Sequence, residues 1–442
     1  MSELRSISAT LTQACREAGA VEVEVLVEEV QRRGVRGGPQ SVPGSRSPLR
    51  RSSELRCTVR ARDERGAVGV VTATDPAPLA LSELARSAVA RARLAAPDPY
   101  GGAPDRLDIP DRGLGILDLR MDELEDSDRA DVVRDNIEGA QGLADGVVPV
   151  RFTYVEEEID RLIQTSAAVL ATEHSCRFRL EGVVRDEQRG EELTEVVESR
   201  RFADVASMPL GVDLARKLAT LRTRAELPPA PYALLLDPTA VARLLPALAP
   251  AFSAEAIAAG ASFLAGRLGS RVASSKVHLI DDPGLTGALR SRAFDDRGIP
   301  PMALPLLREG LSGATYLGPE LARARGQRPT GHRRADGSLW TGNLLLRAGT
   351  RTRNMLLPDL RRHVAIDDFL DLAGLDLQAG TMDVVVRALV MEGPEVVGCA
   401  GPRRLRCSVV DLLSAVVDAC SDQERIRDVD ACTLIVQGPT LE

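Results

Sequence analysis

RFTYVEEEIDRLIQTS at 151–166, SCRFRLEGVVRD at 175–186 and ELTEVVESRRF at 192–202 are three strand-like runs separated by short gaps. β-Branched and aromatic residues recur in them between charged ones, the pattern of half-buried strands. Short gaps favour antiparallel pairing, because a parallel return needs a long crossover.

The same reading extends outward. Val21–Val27 alternates and reads as a strand, and further strands are expected at Leu55–Arg62 and Val68–Ala73, joined by a turn through Asp63–Gly66. Helices are expected over 3–18, where Leu4, Ile7, Leu11 and Ala14 form one stripe, over Ser82–Leu94, near Arg129–Ala144 and over Leu210–Leu221. Residues 31–53 hold Gly, Pro, Ser and Arg with little apolar periodicity, which predicts a mobile Arg-rich loop reaching to Arg56. Pro97–Asp111 reads as a connector, and Ala225–Pro231 as a linker. Beyond it come a strand at Tyr232–Leu236, an Ala/Leu-rich helical stretch broken by Pro246 and Pro250, and strands at Val272–Ile280, Met302–Leu307, Asp383–Met391 and Thr433–Gln437. An amphipathic helix is expected over Ser408–Cys420. The class is α+β in two domains, 1–224 and 225–442, with mostly antiparallel sheets and flanking helices.

Composition narrows the function. The 442 residues are 44% apolar and 27% charged, with a net charge of −8. That balance gives no global pull toward DNA or an anionic membrane. Only 12 aromatic residues occur, against an aromatic-stacking nucleic-acid binder. No apolar run reaches the roughly 18 residues of a membrane span, and the N-terminus lacks the apolar stretch of a signal peptide. Cys15, Cys57, Cys176, Cys399, Cys407, Cys420 and Cys432 are scattered without C-x-x-C spacing, so reduced cytoplasmic thiols are expected. Lysine occurs only at Lys217 and Lys276, and the Arg excess fits GC-rich coding, as in actinobacteria.

Chemistry-bearing groups are sparse. Arg32, Arg33, Arg36, Arg46, Arg50, Arg51 and Arg56 could dock a phosphate or carboxylate, although charge runs more often form a solvated surface. His174 and Cys176 would share one face of a strand but lack a second ligand pair. His363 and Asp367, beside Asp368 and Asp371, read as an ion pair on a helix rather than a catalytic dyad. His278 falls in a strand and His332 in a Gly/Arg-rich loop. No G-x-G-x-x-G, P-loop, G-x-S-x-G or H-E-x-x-H is present.

SRAFDDRGIPPMALPLLREGLSGATYLGPELARARGQRPTGHRR, at 291–334, carries a likeness through which residues 286–398 resemble the C-terminal half of the TldD/PmbA family, also called TldD/TldE. The likeness rests on the turn Phe294-Asp295-Asp296-Arg297-Gly298-Ile299-Pro300, on Arg308-Glu309-Gly310 and on Thr330-Gly331. Asn343, Gly380 and Glu392-Gly393 continue it downstream, with Thr381-Met382 departing from the family's Gly-Asp-Phe turn. TVRARDERGAVGVVTATD, upstream, resembles the family's early hairpin.

The resemblance implies a two-subunit zinc peptidase. The TldD-type subunit carries H-E-x-x-x-H, two zinc-binding His and a water-activating Glu, with a Cys completing the ligand set. Laid on Leu244–Ala251, that pattern puts Pro246 and Ala247 at the His-Glu positions and Ala251 at the second His, so no zinc ligand remains and Cys399 or Cys407 cannot replace the histidines. Ser262-Phe263-Leu264 with Gly266 and Gly269 resembles the PmbA/TldE branch. The resemblance therefore implies a non-catalytic TldE/PmbA-like subunit without a cofactor of its own. Zinc is expected in a TldD-like partner, and peptides or small amide-linked conjugates as substrates, as in lincosamide antibiotic pathways. Pairing is expected through the half from Leu227 onward, with self-association when the partner is missing. The alternatives are a stand-alone hydrolase with a Cys or His-Asp site and a structural homodimer.

Overall fold

A computed structural model describes the chain except residues 39–47, 106–107, 111–112, 229–230 and 357–361. The first half is built on one antiparallel six-stranded sheet in the order β3-β2-β1-β4-β5-β6. Its strands are β1 (Glu22–Gly37), β2 (Arg50–Arg62), β3 (Val68–Thr74), β4 (Val147–Thr165), β5 (Leu170–Asp186) and β6 (Glu192–Ser199). The helices are α1 (Ser2–Glu17), α2 (Leu81–Leu94), α3 (Asp126–Ala140), the short α4 (Phe202–Ala206) and α5 (Leu210–Arg222).

The period of two assigns the sheet's faces. Phe152 and Tyr154 of β4, with Cys176, Phe178 and Leu180 of β5, pack against Val132 and Val133 of α3 and Leu214 of α5. Val23, Val25 and Val27 of β1 pack with Leu4, Leu11 and Leu84 of α1 and α2. The alternate residues, such as Glu28, Arg161 and Glu173, point away from the helices and face the second half.

The loop expected at 31–56 is corrected. β1 and β2 pair through Gly34↔Arg50, so most of that run is ladder. Charge pairing does what apolar alternation does elsewhere: Arg32 and Arg33 lie opposite Glu157 and Glu156 of β4 and donate to them, each at 2.8 Å. Positions 39–47 of that expected loop, Arg46 among them, lie outside the described residues.

The second half holds two sheets. One, ordered β10-β9-β8-β11-β18-β17, comprises β8 (Leu279–Asp282), β9 (Leu304–Arg308), β10 (Leu311–Ser312), β11 (Asn343–Leu346), β17 (Glu424–Ile426) and β18 (Val429–Ala431). The other, ordered β13-β14-β12-β7-β19-β16 with β15 also on β14, comprises β7 (Pro231–Leu236), β12 (Arg362–Asp371), β13 (Leu375–Asp376), β14 (Thr381–Glu392), β15 (Glu395–Ser408), β16 (Val416–Ala419) and β19 (Leu434–Thr440). Among the strands of the described residues, β11·β18 and β7·β12 are the pairs that run parallel. The helices are α6 (Pro238–Leu248), α7 (Ala254–Ala258), α8 (Pro319–Arg325), α9 (Arg353–Leu356) and α10 (Val409–Ser414). The fold is thus mixed α+β with mostly antiparallel sheets.

Three local expectations fail because ladder pairing, which the local pattern does not reveal, decides them: two segments gain a partner and one lacks it. His363 and Asp367 lie on strand β12, not on a helix. The helix expected over Ser408–Cys420 stops at Ser414, and Val416–Ala419 pairs with β19 instead. The strand expected from Val272 begins only at Leu279.

The segment Ala293–Ile299 joins the halves. Phe294 is buried with Leu26, Ile163 and Val169 of the first sheet. Asp295 accepts the backbone N–H groups of Arg297, Ile299 and Arg333. Asp296 pairs with Arg161, and Arg297 clasps Glu24 at 2.7 and 3.0 Å. Gly298 has φ +73°, and a Cβ there would stand 3.3 Å from Val169, so both conformation and space favour glycine.

Candidate functional site

Two places have a claim to function. The first is the turn where the resemblance puts H-E-x-x-x-H. β7 leads into α6 through Asp237 and Pro238, and Leu244, Leu245 and Leu248 bury the inner face of the helix. Pro246 does not break α6, which continues to Leu248 before tightening into a 3₁₀ turn at Ala249–Phe252 that contains Pro250. Pro246 has no N–H to donate to the carbonyl of Ala242 four residues before it, so the helix forgoes one hydrogen bond there. Pro246 and Ala247 are half-buried and Ala251 is buried, and none of them carries a donor atom. These residues do not fit a zinc ion.

The remaining candidate ligands lie apart. His174 bonds Asp160 at 2.7 Å on an exposed stretch of β5, while Cys176, two residues on along the same face, is buried and its thiol takes the Asp118 N–H at 3.1 Å. His332 is buried against Tyr316, and burial lowers its pKa. Asp367 holds Arg387 at 2.8 Å. Burial pushes the thiols of Cys15, Cys57 and Cys407 up to about 11 and those of Cys420 and Cys432 up to about 12, which leaves them protonated and unreactive near neutrality. Among the described residues, no three His, Cys, Asp or Glu side chains gather as a metal would require.

The second place is a polar cleft between the helix-free face of the first sheet and loops of the second half. Nine arginines line it against five carboxylates. At its centre is Trp340, the only tryptophan of the chain. The guanidinium groups of Arg161, Arg292 and Arg334 lie 4.8, 4.4 and 4.6 Å from its ring. Arg161 is neutralised by Glu28, Glu173 and Asp296. Arg200 donates to the carbonyls of Cys176 and Leu289, at 2.5 and 2.7 Å, and so spans both halves. Arg292 donates only to carbonyls, among them those of Trp340 and Gly331. Arg32 and Arg56, singled out in the sequence, reach the cleft but are engaged by Glu54, Glu157 and Glu28. Sequence reasoning missed Arg200, Arg292 and Arg334. The available signal was a lone Trp six residues after an Arg in a Gly/Arg-rich loop.

No helix among the described residues is long and apolar enough to cross a membrane. Residues 229–441 match the model of the PmbA/TldA metallopeptidase C-terminal domain. No curated protein sequence matches the chain. Solved structures share its fold over nearly their full lengths. A modulator of DNA gyrase from Bacteroides thetaiotaomicron superposes with a TM-score of 0.88 at 16% identity, covering 100% of this chain and 99% of the other. One from Thermotoga maritima gives 0.85 at 19%, covering 99% and 100%. TldE from Thermococcus kodakarensis gives 0.84 at 17%, covering 98% and 99%.

Proposed function

We infer, for a chain whose residues 229–441 carry a PmbA/TldD-type metallopeptidase domain, that it is the metal-free, TldE-like subunit of a two-chain zinc peptidase or amidase. The observation that carries this reading is the α6 turn, where Pro246, Ala247 and Ala251 stand at the positions the resemblance assigns to the H-E-x-x-x-H residues. A zinc ion held by a TldD-like partner would supply the water-activating chemistry. This chain would contribute walls and an interface. The division into 1–224 and 225–442 would give pairing to the second half, which would also support self-association when the partner is missing. The substrates would be peptides or small amide-linked conjugates in the cytoplasm, and an actinobacterial antibiotic pathway is one such setting. Protonated, buried thiols speak against the stand-alone cysteine hydrolase.

The test is reconstitution. The purified chain should hold no stoichiometric zinc and hydrolyse no peptide. Adding a TldD-like chain bearing H-E-x-x-x-H should produce activity that a chelator abolishes. Chelator-resistant turnover by the single chain would overturn the reading.

A further inference from the structure

We propose that the arginine cleft around Trp340 is an oxyanion-binding site, taking a carboxylate or phosphate group of a small ligand. Six of the nine lining arginines are ion-paired with carboxylates. Arg200, Arg292 and Arg334 are not. Arg200 and Arg292 are 8% and 2% exposed, and each keeps an Nε with no hydrogen-bond partner among the described residues. Carbonyl dipoles orient these two groups but do not cancel their charge. The Arg334 guanidinium makes no hydrogen bond or ion pair among the described residues; it rests on Trp340, with Asp296 acting on it electrostatically.

Three cations are therefore desolvated at one place without a counter-ion of their own. Burial lowers the pKa of each, and the carboxylates that act on them without forming ion pairs, Glu173 on Arg200, Asp281 and Asp295 on Arg292 and Asp296 on Arg334, offset it only in part. An oxyanion would complete the compensation through charge-assisted hydrogen bonds, the interaction that guanidinium groups make best. The cavity is about 230 Å³. It suits a small ligand or a chain end rather than a folded partner. The site uses residues of both halves, so its occupant would also brace them. The proposal stands apart from the subunit reading, because it concerns this chain alone.

Trp340 makes the test direct, since its emission reports the cleft and nothing else. The full chain is titrated with inorganic phosphate, with a short N-acetylated peptide ending in a free carboxylate, and with the same peptide as its C-terminal amide. Calorimetry follows the same titrations. A saturable response to phosphate or to the free-acid peptide, weakening as salt is added, is expected, and the stronger of the two identifies the source. The amide should respond at least tenfold more weakly than the acid if the carboxylate is that source. Arg334→Gln, at a partly exposed position, should keep the fold by circular dichroism and weaken binding roughly tenfold. Absence of saturable fluorescence and heat with every probe, or unchanged affinity in Arg334→Gln, would overturn the proposal.

Discussion

Glu156 shows what a single side chain does here. Its position in the alternation of β4 turns it toward the helices, where it is 1% exposed. Burial alone would raise its pKa; hydrogen bonds from Arg129, Arg33 and Tyr154 overrule that and hold it below the usual range. Replacing Glu156 by Ala leaves the buried Arg129 with only the exposed Asp126, at 3.7 Å, and the Leu124 carbonyl, so a loss of about 3 kcal/mol in denaturant unfolding is expected. Asp237 behaves oppositely. Burial pushes its carboxyl up to about 6, against Arg353, which pulls it down. A carboxyl raised in the folded state contributes stability that is fully present below its ordinary value near 3.8 and is lost as the pH rises through about 6. Asp237→Asn should therefore be more stable than the wild type by about 1 kcal/mol at pH 7.5, with the gap closing as the pH falls through that window. Denaturation curves at pH 5 and 7.5 decide it. The identities of Glu156 and Asp237 are plain in the sequence, but their opposite titration depends on neighbours far along the chain.

Elements were legible where one apolar stripe or one alternation decides them. α1, α2 and α5 match their expected spans to within a residue or so because each buries a single stripe on the sheet. The β1–β2 hairpin was not legible, since its outer ladder is held by Arg–Glu pairs from a third strand more than a hundred residues away. The crossing of α3 and α5 rests on Gly211, whose missing Cβ lets the helices touch. A methyl group there would stand 1.9 Å from the carbonyl oxygen of Asn136, and the Gly211 N–H bonds the Asn136 side chain at 2.8 Å. Gly211→Ala should cost about 2 kcal/mol by forcing the helices apart, although alanine is the better helix former. A gain in melting temperature would show that the contact is not a constraint.

At the scale of the molecule, the Phe294–Gly298 turn joins the two halves. The sequence marks this turn only as a family likeness; the structure gives it work. Arg297 is 5% exposed and bonds Glu24, Glu320 and the Gly102 carbonyl. Arg297→Ala leaves the buried Glu24 carboxylate with Arg60, at 3.6 Å, as its remaining cation, which should cost about 3 kcal/mol. The double variant Glu24→Gln with Arg297→Met should recover much of that loss, because the cost lies in the uncompensated charge rather than in the pair. Equal stability of the single and double variants would mean that packing around Phe294, not charge, holds the halves together.

The sequence by itself determined the α+β class, the antiparallel character of the first sheet, most helix positions and the absence of donor groups at Pro246, Ala247 and Ala251. Each of these is a local property, readable from spacing or from side-chain chemistry alone. The tertiary structure alone decided which arginines are neutralised. Charge pairing depends on distance in space: Arg32 finds Glu157, and Arg161 finds Asp296, across more than a hundred residues of chain. By the same geometry Arg292 and Arg334 meet on one indole while Arg200 lines the same cleft, none of them ion-paired with a carboxylate, an arrangement that no pattern along the chain encodes.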